Sequence, residues 1–148
     1  MSDLDDLYQE LILEHYRRPR NYRRLAEANR SAEGFNPLCG DRLTLYLKVK
    51  DGVIEDAAFE GSGCAISTAS ASLLTESVKG RTEDEAQALA RNFHGLLTQS
   101  TAEPRTDLGK LQALAGVRQF PVRVKCATLA WHTLRAALER QPTPVSTD

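Results

Sequence analysis

The chain has 148 residues, 41% of them hydrophobic, and a formal net charge of -1. That length suits one domain with an ordinary core, and the near-neutral balance gives no general drive toward nucleic acid or a membrane surface. No apolar stretch is long enough to span a bilayer, and the acidic start Met1-Ser2-Asp3-Leu4-Asp5-Asp6 is unlike a signal peptide, so the chain reads as cytoplasmic.

Ser2 or Asp3 can cap a first helix running to about Arg18, where Pro19 ends it. Its apolar stripe is Leu4, Leu7 and Leu11, broadened by Tyr8 and Ile12. Arg17, Arg18, Arg20, Arg23 and Arg24 follow as a basic stretch between Tyr16 and Tyr22. It reads either as a solvated linker or as a docking surface for an acidic partner. A first strand is expected around Ser31 to Phe35, and Asn36-Pro37 reads as a turn. The clearest strand is Arg42 to Lys50, where Leu43, Leu45, Leu47 and Val49 alternate with polar residues. Asp51-Gly52 predicts a two-residue hairpin into a return strand from Val53 to Glu60.

Gly61-Ser62-Gly63-Cys64 then leads into a helix of small residues that stops at Lys79-Gly80. Thr82-Glu83-Asp84-Glu85 is a capping box opening a helix to about Leu97. Gln99 to Thr106 predicts a loop, and Asp107 can cap a short helix carrying Leu108, Leu111, Leu114 and Ala115. Pro121 suits the first turn of a last helix, which places Cys126 in its first two turns. Residues 1–140 read as a single domain and 141–148 as a disordered C-terminal tail.

The cysteines carry the chemistry. Cytoplasmic thiols stay reduced, and Cys39, Cys64 and Cys126 are an odd number, which points to metal binding or catalysis rather than disulfides. A hairpin brings its open ends together, so Cys39, just before the long strand, and Cys64, just after the return strand, are neighbours by topology. Cys64 at a helix start is favoured as thiolate by the helix dipole. Asp41 lies one glycine beyond Cys39. With Cys126 these residues could make a Cys3Asp set for zinc. The spacing matches no zinc-finger pattern, and three small buried hydrophobes remain the alternative. His15, His94 and His132 read as surface or packing residues.

Four motifs together make the chain recognisable: His15-Tyr16-Arg17-Arg18-Pro19-Arg20-Asn21, Asn36-Pro37-Leu38-Cys39-Gly40-Asp41, Gly61-Ser62-Gly63-Cys64-Ala65-Ile66-Ser67, and Pro121-Val122-Arg123-Val124-Lys125-Cys126. On these the chain resembles the IscU/NifU-N family of iron–sulfur cluster assembly proteins, most closely its SufU branch, over about residues 4 to 140. The scaffold branch has a histidine just before the third cysteine, whereas this chain has Lys125. The SufU branch also carries an extra segment before that cysteine, here within about Asn92 to Phe120.

The resemblance implies an α+β fold, with a three-stranded antiparallel sheet and about five helices packed on one side. It implies zinc bound by Cys39, Asp41, Cys64 and Cys126. Arg123 and Lys125, beside Cys126, read either as supporting charges for such an anionic site or as an ordinary basic first turn. The resemblance also implies a sulfur relay, in which Cys39 accepts persulfide sulfur from a SufS-type cysteine desulfurase and hands it to downstream Suf-type assembly components. A histidine of the desulfurase is implied to take that thiolate's place on zinc during transfer. The alternative is a scaffold that builds and releases an iron–sulfur cluster on the same cysteines, because thiolates suit both.

Overall fold

The structure is a computed structural model that describes residues 3–98, 106–140 and 145–146. Helix α1 (Asp3–Arg17) leads to strands β1 (Arg30–Asn36), β2 (Asp41–Lys50) and β3 (Val53–Ser62). Helices α2 (Ala65–Val78) and α3 (Glu83–Thr98), a 3-10 helix (Thr106–Gln119), helix α4 (Pro121–Glu139) and strand β4 (Val145–Ser146) complete the chain. The side-chain caps predicted at Ser2, Asp3 and Asp107 and the loop at 99–105 lie outside what is described.

The alternating pattern of β2 sends Leu43, Leu45 and Leu47 inward, each at most 5% exposed. Asp51 and Gly52 both adopt positive φ, 54° and 78°, as a tight hairpin turn demands. The antiparallel pairings β1–β2 and β2–β3 follow, with Ala32 of β1 and Ala57 and Phe59 of β3 on the same buried side as the β2 leucines. The three-stranded sheet expected from the resemblance gains a fourth member, since Val145 and Ser146 pair in parallel with Gly34 and Phe35. Thus the described part of the expected disordered tail is a short strand. Two residues of β-capable sequence suffice there because the β1 edge supplies free backbone partners.

Helices α2 and α4 cover the inner face, and α2 also packs on α4. The small residues of α2 permit that close approach. Ser70 donates its hydroxyl hydrogen to Ala127 O at 2.6 Å and accepts the indole N–H of Trp131 at 3.2 Å. Trp131 in turn lies against Phe93 of α3, with ring centroids 4.9 Å apart. The predicted capping box closes as expected: Thr82 N–H donates to Glu85 Oε1 at 2.9 Å, and Glu85 N–H donates to Thr82 Oγ1 at 3.1 Å. The short helix predicted after Asp107 is a 3-10 segment interrupted at Gly109, whose φ is 53°.

The basic stretch is partly structural. Arg20 N–H donates to Ser72 Oγ at 2.8 Å, and Arg23 makes two contacts to Asp56, at 2.9 and 3.1 Å. Asn21 to Arg23 thereby runs along the β3 edge, bonded to Phe59 through both of its backbone groups. His15 is fully buried, its Nδ1 2.7 Å from Ser72 Oγ, which docks α1 on α2. No described helix is long and apolar enough to cross a membrane.

Candidate metal centre

The turn between β1 and β2 carries the first two candidate ligands, Cys39 and Asp41. Asn36 and Asp41 face each other as the last register pair of the two strands. Gly40 N–H donates to Asn36 O at 2.8 Å, and Leu38 N–H donates to Asn36 Oδ1 at 3.2 Å. Gly40 has φ 73°, a conformation a side chain would resist. The result lifts Cys39 to an exposed position at the tip and turns Asp41 inward, where it has no exposed surface.

The end of β3 delivers Cys64 to the same place. Ser62 pairs with Arg42, so the next residues pass directly over Asp41. Cys64 N–H donates to Asp41 Oδ1 at 3.0 Å. A Cβ on Gly63 would lie 2.7 Å from that same oxygen, so only glycine leaves room for the carboxylate. Cys64 is the N-cap of α2, with φ -72° and ψ 171°, and its sulfur accepts Ser67 N–H at 3.4 Å. Sulfur here takes the place usually held by a Ser or Asp oxygen.

Cys126 arrives from the far end of the chain, in the second turn of α4, and is fully buried. Its sulfur lies 3.4 Å from Cys39 Sγ, across a separation of 87 residues. Burial pushes the Cys126 thiol far above the ordinary range, with hydrogen bonds to Cys39 and Asp41 and the charge of Cys64 adding to it.

Cys39, Asp41 and Cys126 therefore form one compact group, with donor atoms all within 4.8 Å of one another. Cys64 stands beside the group rather than inside it, close enough for its charge to act on Cys126. Arg123 leans over both thiols: the charge of Cys64 first, then a hydrogen bond to Cys126, raise its already high pKa. Lys125 is half-buried and makes no side-chain hydrogen bond or ion pair among the described residues. None of the three histidines joins the group; His94 and His132 meet each other, ring centroids 5.9 Å apart. One contributor went unassigned in the sequence, Asn36, whose Nδ2 lies 3.3 Å from Asp41 Oδ2 and 3.6 Å from Cys126 Sγ. Its signal was present in the Asn-Pro turn, but a turn-forming Asn is read for its backbone effect.

The donors fit zinc. Two thiolates on a tetrahedral zinc sit about 3.8 Å apart, given Zn–S bonds of about 2.3 Å, a few tenths of an ångström beyond the Cys39–Cys126 separation of 3.4 Å. A buried carboxylate and a buried thiol side by side also need a cation if both are to ionise.

The class is thus defined: a small α+β domain with a thiol–carboxylate centre gathered from a strand turn and two helix starts. Residues 7–143 match the NifU-like N terminal domain family, and the chain belongs to it. It is 39% identical over 140 residues to the zinc-dependent sulfurtransferase SufU of Bacillus subtilis, covering 95% of each chain. It is 40% identical to the iron-sulfur cluster assembly scaffold protein IscU of Streptococcus pyogenes, covering 95% of this chain and 87% of that one. A crystal structure of a putative iron-sulfur cluster assembly scaffold protein for the SUF system, from Fervidobacterium islandicum, superposes with a TM-score of 0.82 at 34% identity. That match covers 87% of this chain and 94% of the other.

Proposed function

We propose that the chain is a zinc-dependent sulfurtransferase of iron–sulfur cluster assembly. It takes persulfide sulfur from a SufS-type cysteine desulfurase in the reducing cytoplasm and passes it to downstream Suf-type components. The observation that carries this reading is the unequal exposure of the donors. Cys39 is exposed in a glycine-hinged turn, while Asp41 and Cys126 are fully buried beneath it. Cys64 is fixed to its helix by the bond from Ser67 N–H. Cys39 is the donor that can leave the site and reach a partner while the others stay.

Zinc held by Cys39, Asp41, Cys64 and Cys126 would keep the thiols deprotonated at neutral pH. In the transfer, the Cys39 thiolate attacks the outer sulfur of the desulfurase persulfide. A bond forms between Cys39 Sγ and that sulfur as the bond to the desulfurase sulfur breaks, and the electron pair leaves on the desulfurase thiolate. No external oxidant is needed, because the persulfide carries the oxidation level with it. Gly40 absorbs the backbone rotation that swings Cys39 outward.

The test mixes the protein with its desulfurase and cysteine without reductant, then maps the added sulfur by peptide mass. The expected product is a persulfide on Cys39, and Cys39→Ala abolishes stimulation of the desulfurase while keeping the fold. A persulfide found on Cys64 or Cys126, with Cys39 unmodified, refutes the assignment.

The scaffold reading is supported by the likeness to the Streptococcus pyogenes protein and by the suitability of thiolates for clusters. Metal analysis of protein purified without added metal separates the two: zinc alone supports transfer, and iron with labile sulfide supports a scaffold. Lys125, where the scaffold branch has a histidine, favours transfer.

A further inference from the structure

We propose that Asn36 is the positioning residue of this centre, its carboxamide holding Asp41, Cys126 and the Cys39 turn in register with one another. The inference rests on the metal reading above. Asn36 is fully buried at the end of β1, directly opposite Asp41. Its Oδ1 accepts Leu38 N–H at 3.2 Å; its Nδ2 donates to Asp41 Oδ2 at 3.3 Å and to Cys126 Sγ at 3.6 Å.

The orientation of the amide is fixed by chemistry. Leu38 N–H can only donate, so the oxygen must face it, and the two Nδ2 hydrogens must face the carboxylate and the sulfur. Both of those groups accept when ionised. Asp41 is thereby held at each oxygen, by Cys64 N–H on Oδ1 and by Asn36 on Oδ2. A neutral donor of two hydrogens can hold two adjacent anionic ligands without adding a positive charge that would compete with the metal. The same side chain also shapes the turn that carries Cys39, through Leu38.

A role confined to the turn and a role in positioning ligands predict different outcomes for one substitution. Asn36→Asp has nearly the same shape and keeps an oxygen for Leu38 N–H, so it preserves the Asx-type turn. It replaces the two donated hydrogens with an acceptor facing two other acceptors. The experiment measures zinc affinity by competition with a chromophoric chelator, and the thiolate-to-cobalt absorption of the cobalt(II)-substituted protein. Circular dichroism of the same samples reports the fold.

Asn36→Asp is expected to lower zinc affinity by roughly 10- to 100-fold, as loss of an outer contact to metal ligands does, and to shift the cobalt spectrum with the fold retained. Zinc affinity and a cobalt spectrum indistinguishable from those of the unsubstituted protein overturn the proposal. Should Asn36→Asp fail to fold, Asn36→Ser, which also offers a short acceptor to Leu38 N–H, is measured the same way with the same two outcomes. If the unsubstituted protein takes up neither zinc nor cobalt, the metal reading falls and this inference with it; metal uptake insensitive to both substitutions removes Asn36 alone.

Discussion

Gly63→Ala isolates one contact of the centre. Gly63 is not among the residues with positive φ, so alanine can adopt its backbone conformation and the effect is purely that of the added methyl. That methyl would lie 2.7 Å from Asp41 Oδ1, 3.2 Å from Asp41 Cγ and 3.2 Å from Ser67 Oγ. Reaching ordinary contact at 3.4 Å requires the carboxylate or the Gly63 backbone to move by about 0.7 Å. Asp41 has no exposed surface to move into, and Asn36 holds its other oxygen. A shift of that size exceeds the roughly 0.2 Å tolerance of metal–ligand distances. Zinc affinity is expected to fall by at least the roughly 10- to 100-fold that follows loss of a supporting contact. Overpacking costs about 1–3 kcal/mol, which in a domain of this size lowers Tm by about 2–4 °C for each kcal/mol. The assays are chelator competition and thermal melting of the metal-free protein. Gly116→Ala is the control, because nothing lies within 4 Å of the added methyl there. A Gly63→Ala protein that matches Gly116→Ala in both measurements refutes the reasoning.

Removing zinc with a chelator is expected to lower Tm while leaving the helical circular dichroism spectrum, because the leucine-rich core does not depend on the metal; a random-coil spectrum contradicts this. Arg123→Ala removes the cation over Cys64 and Cys126, and, because the residue is exposed, zinc affinity should drop only roughly two- to fivefold, more at low salt. Unchanged zinc affinity and desulfurase stimulation at low salt count against that role. Burial, then the charge of Arg20, lower the His15 pKa, Lys110 acting in the same direction and Glu76 and Glu14 against it. The folded protein therefore resists a proton that the unfolded chain accepts, and stability is present above about pH 6.5 and lost as pH falls below it. Tm should decline between about pH 7.5 and 5.5, and less so in His15→Gln; equal slopes in the two proteins exclude His15 as the cause.

Local sequence determined a good part of this protein. The two-residue period of Leu43 to Val49, the turn chemistry of Asp51-Gly52 and the reciprocal bonds of Thr82 and Glu85 each act within a few residues. Their outcome is therefore written where they stand. Hairpin closure extended that reach to the meeting of the Cys64 backbone with Asp41. Four short motifs were enough to carry the family resemblance. The sequence also suggested the ligand set, without showing how its members would be arranged.

Tertiary structure decided the remainder. Cys126 reaches Cys39 only because α4 packs on β1 and α2, the sum of many small contacts with no local signature. The burial of His15 against Ser72, the seating of Val145 and Ser146 beside β1, and the double use of the Asn36 amide are decided in the same way. A side chain's partners across the chain depend on which surfaces the whole fold brings together, and periodicity along the sequence carries no record of them. The exposure of Cys39 above the fully buried Asp41 and Cys126 follows from the turn geometry and the covering helix together. It is the observation on which the proposed sulfur transfer at Cys39 rests.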